Sequence, residues 1–312
     1  MNQKLALEPQ TIATHEAPIK ALAFSPDGQT LATADVERNL RVWRGGEGVW
    51  QTHFRFWYDR FVAHMHISAL AFSPGGEYLY VAVGDTLRCY EPNTGRELWR
   101  FRTRPTFGFL RTRPISMSVG QDGSIAIAYD DTTVDLRDPN GWPLRQISAG
   151  KDNDAPNLLV FLADGRIAGT DHVSVCIWDM MLGAKLAKHV PGERIHAIAA
   201  SPDGRILAIR TLRQVQLWSV EGEPIATRDV EPGLPTLAFS QTGGMLACGH
   251  ANGVALFDLA GNDIGSVDTG GSVTLALAFQ NDGSLAIAGS DGLVRVWTLG
   301  RANAIGRNAD KL

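Results

Sequence analysis

The sequence predicts an all-β fold built from seven units of about 40 residues, and three observations support this prediction. A phrase close to Ala-Leu-Ala-Phe-Ser-Pro-Asp-Gly recurs along the chain. Each copy contains short runs in which small and large apolar residues alternate, which is typical of strands. No long segment has the 3.6-residue apolar period of an amphipathic helix.

The repeat is the main organising feature of the chain, because self-similarity at a fixed period indicates an array of equal structural units. The clearest copies begin at residues 21, 69, 197 and 276, and weaker copies begin at 118, 159 and 236. Successive turn glycines are separated by 48, 47, 42, 39, 39 and 40 residues. These glycines are Gly28, Gly76, Gly123, Gly165, Gly204, Gly243 and Gly283.

Each unit is predicted to contain four strands. The Ala-Leu-Ala-Phe run forms the first, a Pro-Asp-Gly turn follows, and a second alternating run forms the next strand. The fourth strand follows another turn, as in residues 96–101. The third strand ends in an aromatic residue in six units, namely Trp43, Tyr90, Trp178, Trp218, Phe257 and Trp297.

These units resemble the WD-repeat β-propeller family. Trp178-Asp179 is an intact Trp-Asp pair, Phe257-Asp258 is close to one, and the resemblance covers about residues 11–299. It implies a seven-bladed β-propeller. Residues 11–15 look like a fourth strand without its first three, whereas the last unit has only three strands, so the N-terminal strand is predicted to complete blade 7 and close the ring. We therefore expect one propeller at 11–299, an extension at 1–10 and a tail at 300–312.

Blades of this family are often held by a hydrogen-bonded chain of His, Ser or Thr, Asp and Trp. Only blade 1 has a set of residues close to this pattern, with His15, Thr33, Trp43 and either Asp35 or Glu37. Arg137 aligns with the aromatic position in blade 3, and Leu212 stands where blade 5 would carry the aspartate. Blades 3–6 are therefore expected to depend more on apolar packing. The expected structural residues are His15, Thr33, Asp35, Trp43, Trp178, Asp179, Asp291 and Trp297.

The composition is that of an ordinary soluble domain. Of the 312 residues, 44% are hydrophobic and 20% are charged, and the net charge is −4, which argues against a disordered chain and against a wholly basic nucleic-acid-binding surface. Cys89, Cys176 and Cys248 lie far apart in apolar stretches and are interpreted as buried, reduced thiols. No secretory signal and no membrane-spanning run is visible, so we expect a cytoplasmic protein that does not bind membranes.

Catalytic and cofactor-binding motifs were not found. The sequence contains no phosphate-binding loop, nucleophile elbow, HExxH zinc motif or dinucleotide fingerprint, so we expect no enzyme activity and no cofactor. His64 and His66, with His53 as a third ligand, are a weak metal-site pattern, and we expect no metal. Lys20 and His196 are the only titratable residues in the predicted first strands, which line the channel of a propeller. An enzyme or small-ligand site in the channel is therefore retained as an alternative.

Two long intervals, after blades 1 and 2, are the most informative departure from the repeat. Each holds seven or eight extra residues between a fourth strand and the next first strand, so both loops should lie on one face of the ring. They are rich in Arg and aromatic residues, the types enriched at interface hot spots. The expected partner-binding residues are Arg55, Phe56, Trp57, Tyr58, Arg60, Phe61, Arg102, Arg104, Phe107, Phe109, Arg111 and Arg113.

This patch predicts a protein-interaction scaffold, a subunit or adaptor of a larger complex, because Arg and aromatic side chains suit an acidic or amphipathic segment of a protein partner. Two alternatives remain at this point. The loops could pack only on each other as a structural rim, or they could bind single-stranded nucleic acid, which also uses Arg with aromatic residues. The negative net charge and the lack of an RNA-binding motif argue against nucleic acid.

Overall fold

The computed structural model describes residues 8–55, 66–103, 112–148, 158–170, 173–179 and 184–299. These residues form seven antiparallel sheets of four strands each, which we call blades 1–7. The first strands of successive blades contact one another, and the first strand of blade 7 contacts that of blade 1. The sheets therefore form a closed ring, as the sequence predicted: the protein is an all-β, seven-bladed propeller.

Blades 1–3 follow one another in chain order, and in each of them the first strand is innermost and the fourth is outermost. Blade 1 contains β2 (Ile19–Phe24), β3 (Thr30–Asp35), β4 (Asn39–Arg44) and β5 (Glu47–His53). Blade 2 contains β6 (Ile67–Phe72), β7 (Leu79–Val83), β8 (Thr86–Tyr90) and β9 (Glu97–Arg102). Blade 3 contains β10 (Pro114–Val119), β11 (Ile125–Tyr129), β12 (Thr133–Arg137) and β13 (Pro143–Ser148).

Blades 4–6 repeat this order. Blade 4 contains β14 (Leu158–Phe161), β15 (Ile167–Thr170), β16 (Val175–Asp179) and β17 (Ala184–His189). Blade 5 contains β18 (Ala197–Ala200), β19 (Ile206–Arg210), β20 (Gln214–Ser219) and β21 (Pro224–Asp229). Blade 6 contains β22 (Leu237–Phe239), β23 (Leu246–His250), β24 (Gly253–Phe257) and β25 (Asp263–Asp268).

Blade 7 combines the two ends of the chain. It contains β26 (Thr274–Phe279), β27 (Leu285–Gly289), β28 (Leu293–Trp297) and β1 (Gln10–Thr14) as its outer strand. β1 is antiparallel to β28, with Gln10 opposite Val296 and Thr14 opposite Leu293. The strand begins and ends one residue earlier than the predicted 11–15, and His15 follows it directly.

Because all neighbouring strands are antiparallel, the connections divide between two faces of the ring. We call the face with the second-to-third turns and the fourth-to-first loops the upper face. The face with the first-to-second and third-to-fourth turns is the lower face. Gly28 and Gly204 lie in first-to-second turns with positive φ values of 71° and 69°. A Cβ at Gly204 would also come within 2.4 Å of the Ala163 nitrogen, so this turn of blade 5 packs tightly on blade 4.

The core lies between adjacent blades. The second strands are almost entirely buried, and the third strands contain both buried and half-buried residues. Their aliphatic side chains pack on those of the next blade. Each outer strand has a bulge opposite the third strand, and such bulges interrupt the regular edge that would otherwise pair with other chains. The bulged residue is aliphatic in every blade: Ile12, Val49, Leu98, Leu144, Leu186, Ile225 and Ile264.

Candidate interaction surfaces

The predicted hydrogen-bonded chain is present in blade 1. His15 Nδ1 lies 2.9 Å from Asp35 Oδ2, and His15 Nε2 lies 2.7 Å from Thr33 Oγ1. Trp43 Nε1 donates to the same Thr33 oxygen at 2.8 Å. Asp35, rather than Glu37, is therefore the acid of this chain. Asp35 also accepts hydrogen bonds from the backbone and side chain of Asn39, at 2.9 and 2.7 Å.

A neutral His15 satisfies every partner in this chain. With the proton on Nδ1, the ring donates to Asp35, while Nε2 accepts the Thr33 hydroxyl proton. Burial lowers the pKa of His15, and this effect outweighs the opposing hydrogen bond and charge of Asp35. Burial alone would raise the pKa of Asp35, but the hydrogen bonds from Asn39 and His15 lower it overall. The site is thus a neutral imidazole beside a carboxylate.

Arg137 occupies the aromatic position of blade 3, opposite Ile125, as the alignment predicted. Its Nη2 is 3.1 Å from Asp135 Oδ2, and Nη1 donates to the Gly141 carbonyl at 2.8 Å. The guanidinium carbon lies 3.6 Å from the ring centroid of Phe101 in blade 2. Arg137 therefore replaces aromatic packing by a cation–π contact and a partly buried ion pair, so blade 3 depends less on apolar packing than expected.

Blade 5 contains a contact that the sequence did not reveal. The ring of His189, from the outer strand of blade 4, stacks on Trp218 with centroids 5.9 Å apart. This resembles the arrangement of His15 beside Trp43, whose centroids are 6.3 Å apart. In place of a threonine, Gln216 Oε1 accepts the Trp218 indole proton at 3.0 Å. The histidine was missed because blade 5 lacks the Asp and the Ser or Thr that accompany such a histidine in the hydrogen-bonded chain of the family.

The other predicted structural residues end the third strands of blades 4 and 7. Trp178 is buried beside Asp179 at the end of β16, and Trp297 is buried at the end of β28. Asp291 Oδ2 lies 2.6 Å from Arg295 Nη1, and Asp291 Oδ1 accepts the backbone N–H of Leu293 at 3.1 Å. Asp291 thus stabilises the turn before β28.

Only three of the residues predicted to bind a partner lie within the described ranges. Arg55 and Arg102 are exposed and follow or end the outer strands β5 and β9 of adjacent blades. Arg113 is half-buried, and its Nε is 2.7 Å from Asp130 Oδ2 within blade 3. Nine others lie outside the described residues: Phe56, Trp57, Tyr58, Arg60, Phe61, Arg104, Phe107, Phe109 and Arg111.

Both long loops start from anchored positions on the upper face. Phe54 is only 3% exposed, packs in the core between blades 1 and 2, and lies 4.9 Å from the guanidinium carbon of Arg88. It is a core residue, not a surface aromatic. At the second loop, Thr103 Oγ1 donates to the Thr112 carbonyl, so the two ends of the interval are directly connected. The Thr103 backbone N–H also donates to the Asp85 carbonyl at 2.9 Å.

Lys20 and His196, the two titratable residues predicted for the channel, lie in different blades. Lys20 lies in β2 of blade 1 and is exposed as a residue, but partial desolvation of its ammonium group lowers its pKa. His196 precedes β18 of blade 5, and its backbone N–H donates to the Arg210 carbonyl at 2.7 Å. Two blades separate the two residues in one direction around the ring and three in the other. The two residues therefore belong to blades that are not neighbours in the ring.

A cleft on the lower face was not anticipated from the sequence. It has a volume of about 260 Å³ and lies where blade 7 meets blade 1. Its lining combines apolar side chains, glutamine amides and turn glycines that are separated by up to 286 positions along the chain, as Gln10 and Val296 show. Sequence reasoning missed it because only ring closure brings these residues together.

The three cysteines are free and buried, as predicted. Burial raises the pKa of Cys89 to about 12 and that of Cys248 to about 11. Among the described residues, no group of three His, Cys, Asp or Glu side chains could hold a metal ion, and His64 lies outside them. In the same part of the chain, no helix is long and apolar enough to cross a membrane.

Comparisons with known proteins agree with the architecture. Residues 8–44 and 265–298 match the sequence model of the family described as WD domain, G-beta repeat. These two segments supply strands to blades 7 and 1, which are adjacent in the closed ring. A stretch of 162 residues, 51% of the chain, is 29% identical to the small ribosomal subunit protein RACK1 of Glycine max. That stretch spans 43% of the relative's length.

Proposed function

We propose that this chain, which is a WD-repeat β-propeller, is a non-catalytic scaffold that binds other proteins in the cytoplasm and forms part of a larger complex. The family match and the similarity to a protein named as a ribosomal subunit support this function. The fold alone would not be sufficient evidence for this function, because propellers have many functions. The separation of Lys20 from His196 on the ring supports the non-catalytic part of the proposal.

The proposed docking site is the upper face around the two long loops after blades 1 and 2. The observation that carries it is the position of Arg55 and Arg102, two exposed arginines at the ends of the outer strands of adjacent blades. Both strands run towards the upper face, so the two loops leave the ring side by side. A partner would contact Arg55 and Arg102 together with the loop residues at 56–61 and 104–111.

The proposed partner presents an acidic or amphipathic segment. Guanidinium groups bind carboxylates through two parallel hydrogen bonds, and aromatic rings cover the apolar side of such a segment. Arg113 contributes less, because Asp130 already occupies its Nε. Phe54 contributes nothing directly, since it is buried in the core. The contact surface is therefore expected to centre on Arg55 and Arg102.

Affinity capture from native cell extract tests this proposal. The double variant Arg55→Ala/Arg102→Ala is compared with wild type and with Arg96→Ala/Arg205→Ala, which removes two exposed arginines from lower-face turns. We expect a protein that wild type and the control retain equally and the test variant loses. A third variant, with both long loops cut to the length of those after blades 5 and 6, should lose the same protein. Equal recovery by all four chains would contradict this docking site.

Sedimentation of the native extract provides a separate measurement of the larger complex. We expect the wild-type chain to migrate with particles much heavier than its own 33.8 kDa, and the loop-shortened variant to migrate at the size of the free chain. Thermal unfolding of the variants serves as the folding control, because exposed side chains contribute little to stability. Migration of the wild-type chain at 33.8 kDa under native conditions would contradict membership of a complex.

A further inference from the structure

The lower-face cleft between blades 7 and 1 has an apolar floor. Trp43 lies one residue before the end of the third strand of blade 1, and the cleft also receives aliphatic side chains from both blades. The apolar lining consists of Ile12, Phe24, Leu31, Trp43 and Val296. At about 260 Å³, the cleft has room for one bulky side chain with the adjoining backbone.

Two contacts fix the shape of this cleft without a ligand. Asn281 Nδ2, in the first-to-second turn of blade 7, donates to the Pro26 carbonyl in the corresponding turn of blade 1. Trp43 is held by its indole hydrogen bond to Thr33 at 2.8 Å. A preformed site loses less conformational freedom on binding than one that must first be ordered.

Glutamine side chains around the cleft retain their hydrogen-bonding capacity. Gln10, Gln29 and Gln280 line it from three different segments, and none of their side-chain amides bonds to another described residue. Gly45 and Gly46 form another part of the lining, and a Cβ at Gly45 would meet no atom within 4 Å. Free primary amides beside an open glycine rim suit the backbone N–H and C=O groups of an extended peptide.

The residues around the cleft are acidic. Glu8, Asp27, Glu47 and Asp282 are exposed, and each lies within two residues of a residue that lines the cleft. Hydrogen bonds from Ser25 and from the Gln29 backbone lower the pKa of Asp27, so this carboxylate is ionised at neutral pH. The nearby Arg44 donates to Thr30 and to Asn93 of blade 2. Among the exposed residues beside the cleft, the four carboxylates outnumber Arg44, so the rim carries a net negative charge that favours a cationic ligand.

From this geometry we propose that the cleft binds an extended segment of a partner protein in which one bulky apolar residue is flanked by lysines or arginines. The apolar side chain sits on Phe24, Leu31 and Trp43. The flanking cations face the four carboxylates, and the glutamine amides bond to the peptide backbone. This site is on the face opposite the two long loops, so the propeller would connect a basic segment on its lower face to an acidic one on its upper face.

Isothermal titration of the full chain with synthetic peptides tests the proposal. The probe is acetyl-Lys-Lys-Leu-Arg-Lys-amide, and the same peptide with Gly in place of Leu tests the apolar floor. The test variant is Asp27→Asn/Glu47→Gln/Asp282→Asn. The matched control, Asp122→Asn/Asp164→Asn/Asp203→Asn, removes the same charge from the first-to-second turns of blades 3, 4 and 5 on the same face. A fourth chain, Gln29→Arg, places a cation at the cleft without changing its apolar floor.

We expect the Leu peptide to bind wild type and the control equally within about twofold. The test variant and Gln29→Arg should each weaken binding at least tenfold, and the Gly peptide should bind wild type at least tenfold more weakly. Equal weakening in the control, equal binding of the Gly and Leu peptides, or no saturable binding would overturn the proposal. It would also be overturned if removal of residues 300–312 were required for binding, because the chain's own tail would then be the occupant.

Discussion

His15 Nδ1 lies 2.9 Å from Asp35 Oδ2, although the histidine directly follows the outer strand of blade 7 and the aspartate ends the second strand of blade 1. Both side chains are fully buried. The contact joins the outer strand that completes the last blade to the first blade of the ring. Thr33 and Trp43 extend it into blade 1, so the hydrogen-bonded chain also holds adjacent blades together.

Thr33→Val should destabilise the fold by about 2 kcal/mol, because it leaves His15 Nε2 without a donor and the Trp43 indole without an acceptor in a buried site. The matched control is Thr170→Val in blade 4. Thr170 is also buried, but its hydroxyl has no partner among the described residues, so removing it should be neutral or stabilising. Urea unfolding of the three chains measures the difference. Equal losses in both variants would show that the hydrogen bonds of Thr33 are not responsible.

Between its lowered pKa and pH 6.5, His15 should remain neutral in the folded protein, because burial shifts its pKa below the ordinary value. In that range the unfolded chain binds a proton that the folded chain does not, so stability contributed by this residue falls as the pH drops below 6.5. Well above 6.5 the contribution is constant. Nitrogen-15 NMR of the ring should show the tautomer protonated on Nδ1 at pH 7.5 and an imidazolium signal that appears with a midpoint below 6.5. An imidazolium signal with a midpoint at or above 6.5 would refute this assignment.

Deletion of residues 1–14 should expose β28 and cause self-association. β1 covers the edge of β28 through the pairs from Gln10–Val296 to Thr14–Leu293, and an uncovered strand edge pairs readily with other chains. Deletion of residues 1–9 is the control, because it leaves the strand intact. Size-exclusion chromatography with light scattering should show a monomer for the control and oligomers for the longer deletion. A monomeric, equally stable 15–312 chain would mean that β1 is dispensable.

The repeat made the ring predictable, because each unit carries its own turn and strand signals. The aromatic position was located in every blade, and even Arg137 was aligned correctly opposite Ile125. What that arginine contacts was not predictable, since Phe101 belongs to the preceding blade and no local pattern relates the two. The stacking of His189 on Trp218 was missed because the two residues belong to adjacent blades and because the acid and hydroxyl partners of the family pattern are lacking there.

The interaction surfaces were harder to predict from the sequence than the fold. The residue types of the two long intervals identified them as candidate binding loops, but residue type does not tell which side chains are exposed. Phe54 is buried and Arg113 is ion-paired, whereas Arg55 and Arg102 are exposed. That distinction depends on neighbours such as Asp130, which lies 17 positions from Arg113. The lower-face cleft could not be found at all, because its two sides come from opposite ends of the chain.

Arg137→Met should be among the most destabilising single changes in blade 3, with an expected loss of about 3 kcal/mol. It removes the ion pair with Asp135, whose side chain is only 8% exposed, and it removes the cation–π contact with Phe101. Asp135 would keep its hydrogen bond from Gln146 at 2.8 Å, but the buried carboxylate would lose its contact with the guanidinium of Arg137.

A double-mutant cycle with Asp135→Asn isolates the ion pair, because the amide removes the charge while keeping a similar shape. The double variant Arg137→Met/Asp135→Asn should be more stable than the sum of the two single losses implies, since each single variant already loses the ion pair and the double variant loses it only once. Urea unfolding of the four chains provides the coupling energy. Strict additivity would show that the ion pair contributes nothing, and that Arg137 stabilises blade 3 only through Phe101 and the Gly141 carbonyl.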